Sequence, residues 1–511
     1  MSGCFSALAE ELFDSIELLQ AGDPFRRVDV VVSSNYLAVD LRRRLAERIA
    51  GAGRRAGHAN VRFSTFLDIA RDVAGEVSGK PAPPGILFAA VAGAVGSAPE
   101  VEPFRGLRHR PGFLRSVEAT VRDLRDAGVS AREFSTWAAT SPMERRDALA
   151  TLAEVYTDVS RRLAPYADDV AVFRSAIGTA GENPSAEPLL VFGFYDLTGI
   201  QRDLVAALAR ARPLHLFLPA FEGDLGLFGK GTREFLEELL GSPQSVPPAM
   251  ATDAKSDWFA RFAAMGTGPK PPLPADGSIR LVSAADDTDE AREVAREVLR
   301  SHADGIPLGR TAVILRQEES DAARILAELA RAGIPAFRLA GESNSEAPEG
   351  RAIRYWLQLE EDGFRREDVL DVLELVETAR GGSSSALFRM LASQAGIVRG
   401  VEDWERGTGK LLRARPEDEE EESEKRSGSA ARTASGHDAA ERLAGAWTAL
   451  RESATGWSDQ PLSWTRWAEE LRGRIARLFA PQEPPELIAS AADSIASLDS
   501  PGQLVGKHVA L

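Results

Sequence analysis

Apolar residues along the chain follow two patterns that predict different kinds of secondary structure. Short apolar runs bounded by glycine, proline or polar residues are typical of buried β-strands. Longer stretches carry apolar residues three or four positions apart, which is typical of helices with one buried face. The predicted strands are 28–32, the start of 61–75, 189–192, 214–218, the start of 279–287, 311–316 and the start of 334–341.

Most of these predicted strands are followed by a predicted helix. Such alternation is typical of parallel sheets covered by helices, and so of the α/β class. From residue 81 to 183, and again from 350 to 511, the pattern is wholly helical. We therefore predict an α/β fold with two parallel-sheet units, each carrying a large helical insertion.

Domain boundaries follow from this pattern and from a proline-rich stretch between the two units. The expected order is a first sheet unit, its helical insertion, the rest of that unit, a linker, the start of the second unit and a second insertion. These segments are 1–80, 81–184, 185–245, 246–277, 278–345 and 346–511. Residues 414–438 are expected to be disordered, because seven acidic residues lie between Glu417 and Glu424.

Charged residues are unevenly distributed along the chain, so the net charge alone does not decide which partners are excluded. A net charge of −16 over 511 residues would argue against nucleic acid, but residues 1–180 hold 23 basic and 23 acidic residues. The first third therefore stays compatible with DNA. The single cysteine, Cys4, excludes a disulfide framework within this chain. We expect a cytoplasmic protein with no membrane partner, because no long apolar run and no basic signal-peptide start are visible.

The segment SNYLAVDLRRRL at 34–45 resembles the motif TNKAAxEMRxRI of superfamily-one (UvrD-like) DNA helicases. FSTFLDIA at 63–70 is similar to the next helicase motif, and VFGFYDLTGIQ at 191–201 to VDEFQDTNxxQ. The order of these segments, with the helical insertions, resembles the AddB/RecC-type subunits of bacterial helicase–nuclease complexes. The resemblance implies two RecA-like units and DNA contacts by residues after the first strands. Those residues are Ser33, Ser34, Asn35, Tyr36, Arg42, Arg44, Thr65 and Phe66.

The resemblance fails at the positions that bind and hydrolyse nucleotide. The glycine-rich phosphate loop would place its lysine near Ser6, but the first lysine of the chain is Lys80. The acidic pair that would hold Mg²⁺ and orient water is replaced by Phe192 and Gly193. We therefore expect a degenerate nucleotide site, with no ATP or Mg²⁺ bound by this chain. Its relics would be Phe192, Gly193, Asp196, Gln201 and Arg316.

Each of these residues also has an ordinary structural explanation. Asp196 could cap the following helix, with Gln201 on its surface, and Arg316 could pair with Glu318 or Glu319. The arginines at 42–44 could form a solvated helix face, and Phe66 could belong to the core. Tyr36 and Phe66 could instead stack on unpaired bases.

The expected function is that of a non-hydrolysing helicase-like subunit that binds and guides DNA ends during double-strand-break repair. Its partners would be single- or double-stranded DNA and an AddA-like motor subunit, which would bind ATP and Mg²⁺. The family's PD-(D/E)XK nuclease, which uses Asp, Glu and Lys around a metal ion, has no recognisable pattern in 350–511. Whether the chain is itself an enzyme is left open. The alternatives are an ATP-dependent DNA helicase subunit and a structural scaffold that never contacts DNA.

Overall fold

The computed structural model divides the chain into two compact units. Described residues up to 242 belong to the first unit, and those from 280 to 498 belong to the second. The predicted linker at 246–277 lies outside the described residues. The structure describes residues 2–3, 5–51, 58–99, 104–108, 110–141, 143–182, 184–219, 229–242, 280–316, 318–338, 347–379, 385–413, 429–458 and 460–498.

A small parallel sheet forms the centre of the first unit. Four of its strands have four to six residues and a fifth, β1, has two. Their order across the sheet is β1-β7-β6-β2-β3, and β4 and β5 form a separate parallel pair. The strands are β1 (Ser2–Gly3), β2 (Val28–Val32), β3 (Val61–Ser64), β4 (Lys80–Pro81), β5 (Tyr166–Ala167), β6 (Leu189–Phe192) and β7 (Leu214–Pro219).

Helices cover both faces of this sheet, which confirms the α/β class for the first unit. Apolar residues of α1 and α2 pack with Val30 and Leu190 on one face. Residues of α3, α8, α9 and α10 pack with Val31 and Val191 on the other face. Because β2 and β6 are buried on both sides, they are almost wholly apolar, and the one charged residue, Asp29 of β2, pairs with Arg27. The helices are α1 (Phe5–Gln20), α2 (Asn35–Gly51), α3 (Phe66–Ala74), α4 (Ile86–Ser97), α5 (Pro111–Asp126), α6 (Ala131–Ala139), α7 (Met143–Leu163), α8 (Asp169–Thr179), α9 (Gly199–Ala211) and α10 (Lys230–Leu240).

Helices α4 to α7 form the helical insertion of the first unit. The short β4–β5 ladder brings the two ends of this insertion together. Arg125 of α5 lies 2.6 Å from Asp168, whose carboxylate also accepts a hydrogen bond from the Ala171 N–H and so caps α8. Helix α8 falls within the predicted insertion 81–184, yet it packs on the sheet against α3. The ion pair between Arg125 and Asp168 therefore connects the insertion to α8, one of the helices that pack on the sheet.

The second unit does not show the second RecA-like sheet that the sequence predicts. Its predicted strands lie around two helices, α11 (Asp287–Ala303) and α12 (Glu318–Arg331), but none of them pairs into a sheet within the described residues. The side chains of Leu281 and Ile314 are 99% and 93% exposed. A small core holds α11 to α12 through Val298 and Leu329. The helical part of the prediction is therefore present here, and the sheet part is not.

The remainder of the second unit is helical and has a tryptophan-rich interior. Trp404 stacks on Trp447, with ring centroids 4.9 Å apart, and Trp457 lies between Trp356 and Trp467. Helix α17 begins at Ser429, inside the segment 414–438 that was expected to be disordered; residues 414–428 lie outside the described residues. The helices are α13 (Pro348–Gln358), α14 (Arg366–Ala379), α15 (Ser385–Gln394), α16 (Val401–Arg413), α17 (Ser429–Ala454), α18 (Trp464–Phe479) and α19 (Glu486–Ala496).

Arg474 of α18 is a buried cation that holds the end of α17 in place. Its guanidinium donates hydrogen bonds to the carbonyl oxygens of Ser453, Thr455 and Gly456, at 2.9, 2.5 and 2.6 Å. It also pairs with Glu470 and lies 4.1 Å from the ring centroid of Trp457. The carbonyls at the end of a helix have no partner within the helix, so these bonds satisfy groups that would otherwise be buried unpaired.

We expect Arg474→Leu to destabilise the second unit by about 3–5 kcal/mol, because it leaves Glu470 and several carbonyls without their buried partner. Urea denaturation followed by tryptophan fluorescence measures this loss. Arg466→Leu, on the same helix but 72% exposed, is the matched control and should change stability by less than about 0.5 kcal/mol. Equal effects of the two substitutions would contradict the role assigned to Arg474.

Candidate functional site at the carboxyl edge of the sheet

The carboxyl ends of β2, β6 and β7 lie side by side at one edge of the first unit. After β2 the chain continues to β3 on one side, whereas after β6 it continues to β7 on the other side. In open α/β sheets, ligands bind in the crevice at such a reversal of strand order. Val32 and Phe192 are partners in the ladder at this point, so the loops that follow them are neighbours.

Phe192 fills the position that the resemblance assigns to a metal-binding carboxylate. Its side chain is fully buried. Its ring contacts Phe5, with centroids 5.3 Å apart in an edge-to-face arrangement, and Phe217 of β7 at 6.3 Å. Phe5 is the first residue of α1, close after β1, where the resemblance would place the phosphate loop. An aromatic cluster therefore occupies the end of the sheet where a nucleotide phosphate and its metal would bind.

Gly193 is required by the backbone at the end of β6. Its φ is +80°, and an added Cβ would lie 3.2 Å from Cδ2 of Leu37 on α2. The Gly193 N–H donates to the Phe217 carbonyl at 3.0 Å. The glycine thus allows a left-handed turn in close contact with α2, which is a structural reason for its presence.

Gln201 lies in the first turn of α9 as expected, whereas Asp196 has a different role. The N-cap of α9 is Thr198, so the prediction that Asp196 caps this helix is wrong. Gln201 accepts a hydrogen bond from the Thr198 N–H at 3.2 Å. Asp196 is exposed, accepts from the Thr232 hydroxyl at 3.3 Å and lies 3.9 Å from Arg202. These contacts fasten the loop after β6 to α9 and α10.

The loop after β2 and the first turn of α2 present several polar groups and one aromatic ring to solvent. Ser33, Asn35 and Tyr36 are exposed, and 52% of Tyr36 is accessible. Ser34 instead accepts a hydrogen bond from the Leu37 N–H at 3.2 Å, so its hydroxyl caps α2. Tyr36, in the first turn of α2, is therefore the aromatic residue here with a large exposed surface for a ligand.

Arg42 and Arg44 lie on opposite flanks of α2 and each has partners within the fold. Arg42 donates to the Phe63 carbonyl of the edge strand β3 at 3.2 Å and lies 5.7 Å from the Phe63 ring. Arg44 bonds Asp40 at 2.6 Å and lies 5.8 Å from the ring of Phe5. The two guanidinium groups do not form one continuous row along the helix.

Thr65 and Phe66 begin α3 and are largely used by the fold. The Thr65 N–H and hydroxyl donate to the Asp68 carboxylate at 2.9 and 2.8 Å, while the Asp68 N–H donates back to Thr65. These hydrogen bonds, above all the one from the Thr65 N–H, lower the pKa of Asp68 from its ordinary value. Phe66 is buried, and its ring centroid lies 4.7 Å from that of Phe194. The core interpretation therefore fits Phe66, and the charge of Asp68 disfavours a phosphate at this helix.

Arg316, the remaining predicted relic, belongs to the second unit and is exposed. The side chains of Glu318 and Glu319, its expected partners, lie outside the described residues. Tyr195 is a residue that the sequence reasoning missed. It follows Phe194 in the loop after β6 and is 57% exposed. A polar aromatic residue two positions beyond a strand-ending glycine was the available signal.

Comparisons with known proteins do not assign the chain to a family. No protein-family model matches the chain, and no curated protein is significantly similar to it. Within the described residues, no group of three or more His, Cys, Asp or Glu side chains could hold a metal ion. Among the described helices, none has the length and apolar character needed to cross a membrane. The case for a function therefore depends on the geometry at the sheet edge.

We expect Asp68→Asn to lower stability by about 1 kcal/mol near neutral pH, because it removes a charged cap from α3. The pKa of Asp68 is lowered by folding, so its contribution is present above the ordinary value of 3.8 and is lost as the pH falls through the folded pKa. Urea denaturation of both proteins over a pH series checks this, with Glu76→Gln, just beyond the same helix, as the control. A difference between the two proteins that persists in strong acid would contradict it.

We expect Phe192→Ala to destabilise the first unit by about 3–5 kcal/mol, because it removes a fully buried ring and leaves a cavity beside Phe217. Phe192→Asp should cost at least as much, because a carboxylate would be buried without a partner. Thermal denaturation measures both changes. Phe25→Ala, which removes a 73% exposed ring just before β2, should leave the melting temperature nearly unchanged. A stable Phe192→Asp variant would show that this strand end is open to solvent.

Proposed function

We propose that the first unit is a RecA-like domain that has lost nucleotide hydrolysis and binds single-stranded DNA at the carboxyl edge of its sheet. In this proposal the chain is a DNA-guiding subunit of a helicase–nuclease complex that processes double-strand breaks. ATP and Mg²⁺ would be bound by a separate motor subunit. Repair and the motor partner come from the sequence resemblance, and the cytoplasmic setting is an expectation from the sequence as a whole.

The aromatic cluster of Phe5, Phe192 and Phe217 is the observation that carries the proposal. Hydrolysis needs carboxylates and backbone N–H groups around a phosphate and its metal ion. Here a fully buried ring stands at the end of the central strand, and a second ring covers it from the start of α1. The sheet keeps the strand order and two-sided helical cover of a ligand-binding α/β domain, while the nucleotide position is filled by its own side chains.

The same edge keeps groups that suit an unpaired DNA strand. Tyr36 is exposed beside the hydroxyl of Ser33 and the amide of Asn35, and Arg42 is exposed farther along α2. Single-strand binding proteins combine aromatic rings for the bases with basic groups for the phosphates. Such binding does not need a nucleotide cofactor, which agrees with a closed nucleotide position.

A structural scaffold without DNA contact is the second candidate. It is favoured by one observation: the Arg42 and Arg44 guanidinium groups both have partners inside the fold. A scaffold would need these residues for stability alone. The two functions therefore differ in what the arginine variants do to DNA binding in protein that is still folded.

We expect the full chain to bind a labelled oligothymidylate without ATP, and more weakly as salt increases, because phosphate binding releases counterions. Fluorescence anisotropy over a salt series measures this. The double variant Arg42→Ala, Arg44→Ala should reduce the slope of log affinity against log salt by about 0.7 for each phosphate that is no longer neutralised. Arg210→Ala, an exposed residue in the last turn of α9 at the opposite edge of the sheet, is the matched control.

Melting temperatures of these variants distinguish weaker DNA binding from impaired folding. Absence of any single-strand binding at low salt would overturn the DNA proposal and leave the scaffold. Calorimetry with Mg²⁺-ATP tests the proposal that the nucleotide position of this chain is closed. Tight binding of Mg²⁺-ATP by the isolated chain would favour an active helicase subunit instead.

A further inference from the structure

Two exposed tyrosines follow neighbouring strands at the carboxyl edge of the first unit. Tyr36 follows β2 and is 52% exposed, while Tyr195 follows β6 and is 57% exposed. The two strands are adjacent and in register, with Val32 opposite Phe192. Adjacent strands lie roughly 5 Å apart, so the segments that carry the two tyrosines leave the sheet at neighbouring positions.

The loop that carries Tyr195 is held firmly. The Leu197 N–H donates to the Thr232 hydroxyl oxygen at 3.0 Å, and that hydroxyl donates to Asp196 at 3.3 Å. Gly229 lies so close that an added Cβ would be 2.9 Å from the Tyr195 carbonyl oxygen. Tyr195 is thus an exposed ring on a fixed backbone, which lowers the entropy lost when a ligand stacks on it.

A cation lies beside Tyr195. Arg233 of α10 and Tyr195 both line a small notch, together with Pro219 at the end of β7 and Gly229. Arg233 is partly exposed. The neighbouring cations Arg202 and Lys230 lie 3.9 and 3.7 Å from Asp196 and Glu234, whereas no ion pair joins Arg233 to a carboxylate within the described residues. Arg202, by contrast, donates to the Leu197 carbonyl at 3.1 Å and stabilises the loop. Arg233 is therefore a partly exposed guanidinium next to Tyr195 that an anion could approach.

We propose that Tyr195 and Arg233 form a nucleotide-binding step of the single-strand site, in which a base stacks on Tyr195 and its phosphate pairs with Arg233. Tyr36 receives a neighbouring base, so the strand crosses the ends of β2, β6 and β7. This inference rests on the proposed DNA-binding function and adds residues that the sequence did not indicate. Stacking on an aromatic ring is tolerant of sequence, so the site would take any unpaired base.

The test compares a base-bearing oligothymidylate with an abasic strand of equal length, measured by anisotropy on the full chain. Tyr195→Ala should weaken binding of the base-bearing strand about tenfold and leave binding of the abasic strand unchanged, because only stacking is lost. Tyr195→Phe should retain affinity. Arg233→Ala should weaken both strands and reduce the salt slope by about 0.7. Phe25→Ala, an exposed ring just before β2, is the matched control and should have no effect.

The outcomes separate this inference from the function on which it rests. If the wild-type chain binds both strands equally and Tyr195→Ala changes neither affinity, the stacking site is overturned while single-strand binding stands. If Phe25→Ala weakens binding as much as Tyr195→Ala, the effect is not local to this edge and the assignment is also overturned. If the wild-type chain binds neither strand, the proposed function itself fails.

Discussion

The burial of Phe192 is the constraint on which the rest of the first unit depends. β6 lies in the middle of the sheet and is covered on both faces, so its side chains must be apolar or paired. A carboxylate at position 192 would need water or a cation, and therefore an open strand end. A phenylalanine at this position must instead be shielded from water, and the rings of Phe5 and Phe217 pack against it. This closure brings the start of α1 onto the end of the sheet, where Arg44 lies against Phe5.

The helices that start at this edge likewise use their polar groups within the fold. Ser34 caps α2, the Thr65–Asp68 pair caps α3, and Gln201 bonds the N-cap residue of α9. Free N–H groups at helix N-termini are the usual means by which an α/β domain binds phosphate. Here many of these groups already have partners, and one of the partners is charged. The exposed groups that remain at this edge include the aromatic rings of Tyr36 and Tyr195, which the proposed function uses to bind an unpaired strand.

The sequence was a good guide wherever structure is decided by neighbouring residues. The strands Val28–Val32 and Leu189–Phe192 have the predicted bounds, because buried parallel strands appear as short, mainly apolar runs. Strand β1 was not predicted, since two residues carry no such signal. The sequence also showed that Phe192 and Gly193 cannot perform hydrolysis. It could not show that Phe5 covers Phe192 or that Gly193 lies against Leu37, because those contacts join residues far apart in the chain.

The predicted strands of the second unit show the limit of this kind of reasoning most clearly. The start of 279–287 and the run at 311–316 are apolar enough to predict strands, yet Leu281 and Ile314 are almost fully exposed. An apolar run records a local preference for extended backbone, whereas a strand exists only when a neighbour accepts and donates its hydrogen bonds. In the first unit, β2 has β3 and β6 as neighbours. Helices need no such partner, since their hydrogen bonds are internal. For that reason α11 and α12 form as predicted, while the described parts of the segments around them do not pair into a sheet.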